Sequence, residues 1–296
     1  MKQLSVLRCG RPVLMFFCAS ALVLSVTPLL AQHRGGGNTR PPTPAPQAPT
    51  TPAPATNFDQ NKLMLDSNVK PASSPIAKEN NCFLAPLNGV RSATVGIADL
   101  QIPAKAQRKY EDGCAAVKNN KLVEAENHFR KAVKEWPKYS AAWVVLGQVL
   151  EAQQKTEDAH NACSQPLTTD ANFLPAYLCL ADIFARSQSW DKVLQLSSRA
   201  LEIDPTNDMV AYEYNAAANL NLHNLPEAEK SALRGAEIDK SNIDPRLHFL
   251  LAQIYEAKGD RAGEAAQLRE YLKFASDPND VAMVKNYLAD LDKQSK

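Results

Sequence analysis

The side chains of this 296-residue sequence that could catalyse a reaction or bind a metal are five histidines, six cysteines and several closely spaced carboxylates. No two histidines have the spacing of a zinc-binding helix motif such as HExxH, and no two cysteines form a CxxC pair. The sequence also lacks a glycine-rich phosphate-binding loop and the GxSxG turn of serine hydrolases. We therefore predict that the protein is not an enzyme, holds no metal ion and needs no cofactor.

Acidic and basic residues are nearly balanced, because the formal net charge is +1. A partner such as nucleic acid would favour a strongly basic surface, so we predict no nucleic-acid partner. Carboxylate pairs such as Glu124 and Glu126 have the positions of solvent-exposed helix faces, which indicates a polar surface and not an acid–base pair.

The first 31 residues have the order of a secretory signal, with basic residues, an apolar stretch and then a small residue. The stretch from Pro12 to Gln32 contains no charged residue, and cleavage after Ala31 fits the pattern. An uncleaved membrane anchor is the alternative, because the stretch approaches the roughly 20 residues that cross a bilayer. We therefore predict a protein exported to the periplasm or the extracellular space, with a membrane association only through an uncleaved N-terminus.

One pattern recurs about every 34 residues from Ala106 onward. Each copy has large and small residues at fixed positions, a short polar turn, two alanines or other small residues, and often a proline near its end. The small residues that mark the five copies are Gly113, Gly147, Ala181, Ala216 and Ala252. Apolar residues three and four apart flank each turn, so each copy predicts two amphipathic helices that pack antiparallel.

The spacing and residue types of residues 106–276 resemble the tetratricopeptide repeat, as in the second copy with Trp143, Leu146 and Gly147. The resemblance implies an all-α fold, a right-handed superhelical solenoid of about five helix-turn-helix repeats with a concave groove. Pro166 stands where the family usually has an alanine, which predicts a bent or shortened second helix in that copy. The fifth copy is expected to have an inter-helix turn one residue longer than the others.

This interpretation divides the chain into five parts. Terminal repeats need a solubilising cap, and the last helical pattern has one apolar stripe that suits this role. The proline-rich part has few apolar groups to bury, so it predicts a disordered tether, the alternative being a ligand for a proline-recognising domain. The parts are a signal peptide or N-terminal anchor (1–31), the linker (32–55), an irregular leader packing on the first repeat (56–104), the repeat array (105–277) and a C-terminal capping helix (278–296).

The resemblance also implies a groove lined by first-helix side chains that point away from the second helix. The lysine–asparagine clamp with which the family binds a terminal carboxylate is absent from the corresponding positions. The mixed polar and apolar lining instead suits an extended or helical peptide. The predicted groove residues are Tyr110, Gln148, Glu151, Leu178, Asp182, Arg186, Glu213, Asn221, Phe249 and Gln253.

Four cysteines remain outside the signal segment, and an exported protein can form disulfides. The repeat arrangement implies that Cys163 and Cys179 lie on neighbouring helices, and Cys82 of the leader could reach Cys114. We hypothesise the pairs Cys163–Cys179 and Cys82–Cys114, while small core residues with free thiols remain the other interpretation.

The sequence therefore predicts an exported, non-enzymatic scaffold that binds a protein or peptide in the concave groove of its repeats. The alternative is a membrane-anchored accessory component of an envelope or secretion assembly. The identity of the partner does not follow from the sequence, because a few exposed groove residues set it.

Overall fold

The structure is a computed structural model that describes residues 82–90, 101–239 and 245–294. Within these residues the secondary structure is entirely helical, without a β-strand. The predicted signal peptide or anchor (1–31), the linker (32–55) and most of the leader lie outside the described residues. The helices are α1 (Ala104–Lys118), α2 (Leu122–Glu135), α3 (Ser140–Ala152), α4 (Thr156–Ser164), α5 (Leu174–Arg186), α6 (Trp190–Ile203), α7 (Met209–Asn221), α8 (Leu225–Ile238), α9 (Arg246–Lys258), α10 (Arg261–Phe274) and α11 (Pro278–Gln294).

Helices α1 to α10 form five pairs, and each helix also packs against the first or second helix of the neighbouring pair. Helix α11 packs against α10 and covers the last pair. One helix pair cannot bury its own apolar face, so the pairs stack into a superhelix. The predicted all-α solenoid of five helix pairs with a C-terminal capping helix is confirmed. None of the described helices combines the length and the apolar character that crossing a bilayer requires.

The two helices of a pair approach closely where the sequence has its small residue. A Cβ atom at Gly113 would lie 2.6 Å from the Phe129 ring, and one at Gly147 would collide with the Cys163 sulfur. Both the Phe129 ring and the Cys163 sulfur are buried in the core. The small residues therefore let the second helix place a large side chain directly against the backbone of the first.

Within each pair a short turn joins the first helix to the second. Four of these five turns have three residues, and the fifth has two. The middle residue of each longer turn has a positive φ, between 55° and 63°, at Asn120, Gln154, Gln188 and His223. The fifth turn lies between Lys258 and Arg261, so the prediction of a longer turn there is wrong. Gly259, with φ of 75°, ends α9 at once, because glycine adopts this left-handed conformation without a steric penalty.

Pro166 shortens the second helix of its pair. Helix α4 ends at Ser164 after nine residues and continues as a 3₁₀ turn, Gln165–Thr168, whereas α2 has 14 residues. Proline has no backbone N–H to donate and its ring clashes with the preceding turn, so the α-helix stops before it. The predicted shortening is confirmed.

The large residue of three consecutive pairs holds the loop that precedes its own helix. Trp143, Tyr177 and Tyr212 each donate a side-chain hydrogen bond of 2.8 to 2.9 Å to a carbonyl oxygen of that loop. A buried or half-buried ring with one polar atom suits this position, because the ring packs while the polar atom bonds the backbone. These bonds fix how one pair follows the next.

The fourth repeat contains a polar group in its core, which the sequence pattern does not predict. Asn215 occupies the position where the second and third copies have leucine, and it is 7% exposed. Its amide donates to Ser198 at 3.1 Å and accepts from Ser231 at 2.8 Å. The polar atoms of Asn215 are therefore satisfied inside the stack, which a buried amide requires.

The contact between Gly113 and Phe129 predicts the effect of a single methyl group. Gly113→Ala gains about 1 kcal/mol of helix propensity but forces the buried ring to move, and overpacking typically costs about 1–3 kcal/mol. We expect the free energy of unfolding to fall by up to about 2 kcal/mol, as the difference between these terms. Urea denaturation followed by circular dichroism measures it.

The companion variant Phe129→Leu separates the clash from other effects. In that background the substitution Gly113→Ala should destabilise less than in the wild-type protein, because the smaller side chain leaves room for the methyl group. An equal loss in both backgrounds would show that the ring contact is not the cause.

Candidate functional site

The first helices of successive pairs contact one another, α3 with α5, α5 with α7 and α7 with α9, so the first helices line the inner, concave face of the stack. The ten side chains predicted to form a groove there fall into two groups. Half of them are buried in the structure: Tyr110, Gln148, Leu178, Glu213 and Phe249. The other half keep exposed surface: Glu151, Asp182, Arg186, Asn221 and Gln253.

A segment of the chain itself covers part of the concave face of the first three pairs. We call residues 82–90 the leader segment. Its apolar side chains Phe83, Leu87 and Val90 are 7%, 0% and 4% exposed, and they belong to the same core cluster as Val144 and Leu178. The burial of the predicted groove residues in this half therefore comes from a bound stretch of the same polypeptide.

Gln148 holds the backbone of the leader segment with two hydrogen bonds. Its side-chain N–H donates to the carbonyl oxygen of Leu84 at 3.0 Å, and its side-chain oxygen accepts from the N–H of Leu84 at 3.0 Å. A glutamine amide carries one donor group and one acceptor, so it can pair with both backbone groups of one residue. This pairing depends on the backbone and not on the side chain of Leu84.

Tyr110 and Cys114 hold the start of the leader segment. The hydroxyl oxygen of Tyr110 accepts a hydrogen bond from the backbone N–H of Cys82 at 3.1 Å, and a disulfide joins Cys82 to Cys114. Burial raises the pKa of Tyr110 to about 12, against a smaller lowering by the bond from Cys82. The hydroxyl therefore stays protonated across the physiological pH range.

The other end of the leader segment reaches the third pair. The 3₁₀ turn Leu87–Gly89 packs against α5, whereas Cys82 and Leu84 bond to side chains on α1 and α3. The segment thus runs along the concave face across three repeats, further than the single repeat on which the sequence pattern placed the leader.

A charged row remains on the concave face beyond the leader segment. Asp182 accepts hydrogen bonds from Arg186 at 3.0 Å and from the Tyr214 hydroxyl at 2.9 Å. Burial, reinforced by the negative charge of Asp182, raises the pKa of Tyr214 well above its ordinary value, so the hydroxyl remains a donor. Arg186 keeps an exposed side chain and is also attracted by Glu151 on α3.

Further along the concave face, on α7 and α9, two of the predicted groove side chains are buried by packing. Glu213 forms an ion pair of 3.2 Å with Arg246, and the two side chains are 7% and 13% exposed. The Phe249 ring lies 5.6 Å from the Tyr271 ring, inside the cluster that α11 covers. Glu213 and Phe249 are therefore structural, whereas Asn221 and Gln253 remain partly exposed.

The second disulfide joins Cys163 of α4 to Cys179 of α5 and links the second pair to the third. Its two cysteines are 0% and 1% exposed. Cys82 and Cys114, by contrast, are only half-buried. The two disulfides therefore differ in how readily a reagent in solution can reach them.

Two of the histidines in the described part of the chain lie beside polar side chains. His128 lies 3.6 Å from Asp112 on the helix surface, and His248 forms a hydrogen bond of 2.9 Å with Gln267. In the same part of the chain no three His, Cys, Asp or Glu side chains come together in a way that could hold a metal ion.

Comparison with known sequences finds a family model that matches part of the chain. The family model described as tetratricopeptide repeat matches residues 110–163, which extend from α1 into α4. Stress-induced-phosphoprotein 1 of Caenorhabditis elegans is 23% identical over 175 residues, which are 58% of this chain and 51% of that protein. The chain thus matches about half the length of this relative.

Solved structures share the fold. A thermophilic TPR protein of Thermus thermophilus has a TM-score of 0.51 and 17% identity, covering 63% of this chain and 98% of that chain. The protein pilF of Pseudomonas aeruginosa has a TM-score of 0.56 and 12% identity, covering 64% and 85%. At these identities the likeness extends to the helical repeat fold alone.

The two bonds from Gln148 predict the behaviour of the Leu84 amide. In Gln148→Ala both bonds are lost, and each is worth about 1 kcal/mol. We expect hydrogen exchange of the Leu84 amide to accelerate roughly tenfold or more, because local opening of the leader segment becomes easier. Hydrogen-exchange mass spectrometry of the peptide that contains Leu84 measures this.

Gln153→Ala is a matched control on the residue that follows α3. It removes hydrogen bonds to Leu122 and Glu126, which lie away from the leader segment. Exchange at Leu84 should stay unchanged in this variant. Equal acceleration in both variants would indicate general destabilisation, and no acceleration in Gln148→Ala would refute the role of Gln148.

Proposed function

We propose that this protein, a member of the tetratricopeptide-repeat family, is an exported scaffold that binds a protein or peptide partner on its concave face and catalyses no reaction. The repeat fold supports the role of a protein–protein interaction scaffold. The observation that carries the groove proposal is the charged row of Asp182 and Arg186, which keeps exposed surface at the concave face.

The chemistry of this row favours a peptide with polar and charged side chains. Asp182 is held in place by Tyr214 and Arg186, so its carboxylate is oriented before a partner arrives. Arg186 presents donors that suit a carboxylate or a backbone carbonyl of the partner. Asn221 and Gln253, one and two repeats further along, add amide groups that can bond an extended backbone.

Reversing both charges of the row should abolish capture of the partner. We expect Asp182→Lys with Arg186→Glu to lose a protein that the wild-type chain retains from an envelope extract of the source cells. The charges keep their spacing but change sign, so the partner meets repulsion where it met attraction. Pull-down with quantitative mass spectrometry measures the difference.

The reversal Glu227→Lys with Lys230→Glu is the matched control, since this exposed pair lies on α8, a second helix. Tyr214→Phe removes the bond that holds Asp182 and keeps both charges, so it should weaken capture of the partner less than the charge reversal does. Retention of the same proteins by the groove variant, the α8 variant and the wild-type chain would dismiss the charged row as the binding site.

Export and the fate of the N-terminus form the second part of the proposal. The apolar stretch up to Ala31 supports a cleaved signal, and the alternative is a membrane-anchored component of an envelope or secretion assembly. We expect fractionation followed by N-terminal sequencing to find a mature chain beginning near Gln32. A chain that keeps its first residues and sediments with membranes would favour the anchored alternative.

A further inference from the structure

The leader segment occupies the first three repeats in the manner of a bound peptide. Its backbone is held by hydrogen bonds from Gln148 to Leu84 and from Cys82 to Tyr110. Its side chains Phe83, Leu87 and Val90 fill the concave face. Backbone bonds that give affinity and apolar pockets that give specificity are the two components of extended-peptide recognition.

The contacts define the chemistry of the occupant. Leu87 is fully buried, so the central pocket accepts an aliphatic side chain and excludes a charged one. Gln148 pairs with backbone alone, so it would hold any extended residue placed there. A suitable peptide therefore carries large apolar residues at the spacing of positions 83, 87 and 90, with a turn between the first two.

The Cys82–Cys114 disulfide tethers the leader segment to α1. It is the more accessible of the two disulfides in the described residues. Cys82 and Cys114 are half-buried, whereas Cys163 and Cys179 are 0% and 1% exposed. Thiol–disulfide exchange needs direct access of a thiolate to the sulfur. A reductant can therefore open the leader tether while the disulfide between the second and third pairs stays intact.

We propose that the first three repeats form a peptide-binding seat that the leader segment keeps closed, and that this seat accepts a partner peptide of the same apolar pattern once the Cys82–Cys114 bond is open. The proposal deepens the proposed function and rests on it, because the seat is the covered half of the same concave face. In this proposal the Cys82–Cys114 disulfide controls how much of the concave face a partner can contact.

The Cys82–Cys114 disulfide opens by thiol–disulfide exchange with a dithiol. A small dithiol donates two electrons and two protons, the S–S bond breaks, and Cys82 and Cys114 become thiols while the dithiol becomes a disulfide. The leader segment stays joined to α1 through the intervening residues, so it still competes at an effective concentration of about millimolar. A partner gains the seat only when its local concentration or affinity exceeds that competition.

The test uses the full mature chain and a fluorescein-labelled peptide of residues 82–90 with Cys82→Ser. The chain variant is Cys82→Ser, Cys114→Ser and Leu87→Asp, which removes the tether and weakens the internal competitor. Fluorescence anisotropy should show that this opened variant binds the peptide at least about 100-fold more tightly than the oxidised wild-type chain, which the tethered leader blocks.

Two controls tie the binding to the seat. Adding Gln148→Ala to the opened variant should weaken peptide binding about tenfold or more, because both backbone bonds are lost. A labelled peptide that carries Leu87→Asp should not bind the opened variant. Circular dichroism checks that each variant keeps its helices.

Selective reduction tests the tether separately. At low dithiol concentration, thiol labelling followed by mass spectrometry should modify Cys82 and Cys114 before Cys163 and Cys179. Labelling of all four at one rate would overturn the assigned control by the leader disulfide.

Failure of the peptide to bind a folded opened variant would overturn the seat, and so would equal binding by the oxidised wild-type chain. Neither result bears on the proposal that the charged row binds a partner, which is tested separately by the pull-down. Peptide binding by the opened variant without any partner captured by the wild-type chain would instead support the seat and dismiss the charged row as the binding site.

Discussion

The close crossing of the two helices in each pair is the contact on which the rest of the structure depends. Phe129 lies against the backbone at Gly113, and Cys163 lies against Gly147, at distances that leave no room for a Cβ atom. Since the two helices of a pair approach each other closely, the apolar sides of successive pairs can meet and bury a continuous core. The concave face follows from this stacking, because it presents one helix of every pair in a row.

The concave face has a different character in its two halves. In the first three repeats the leader segment covers part of the concave face, and Tyr110, Gln148 and Leu178 are buried there. Beyond Leu178 the face carries charges, and Asp182 and Arg186 orient each other there. One groove thus combines an apolar, internally occupied half with a polar, exposed half.

The local pattern was sufficient for the helices but not for the groove. Periodicity and small-residue spacing predicted the five pairs, the cap and the stop at Pro166, because these depend on neighbours within one or two turns. They missed Asn215, whose burial depends on serines of two other helices, and the short fifth turn at Gly259. They also predicted Tyr110 and Gln148 as open groove residues.

The sequence by itself determined the repeat and the helical fold, because the chemistry of each copy is local. Only the tertiary structure decided which part of that face is free. The bonds from Cys82 to Tyr110 and from Leu84 to Gln148 join residues 28 and 64 positions apart. No repeat spacing encodes such pairings, because the leader segment lies outside the repeats.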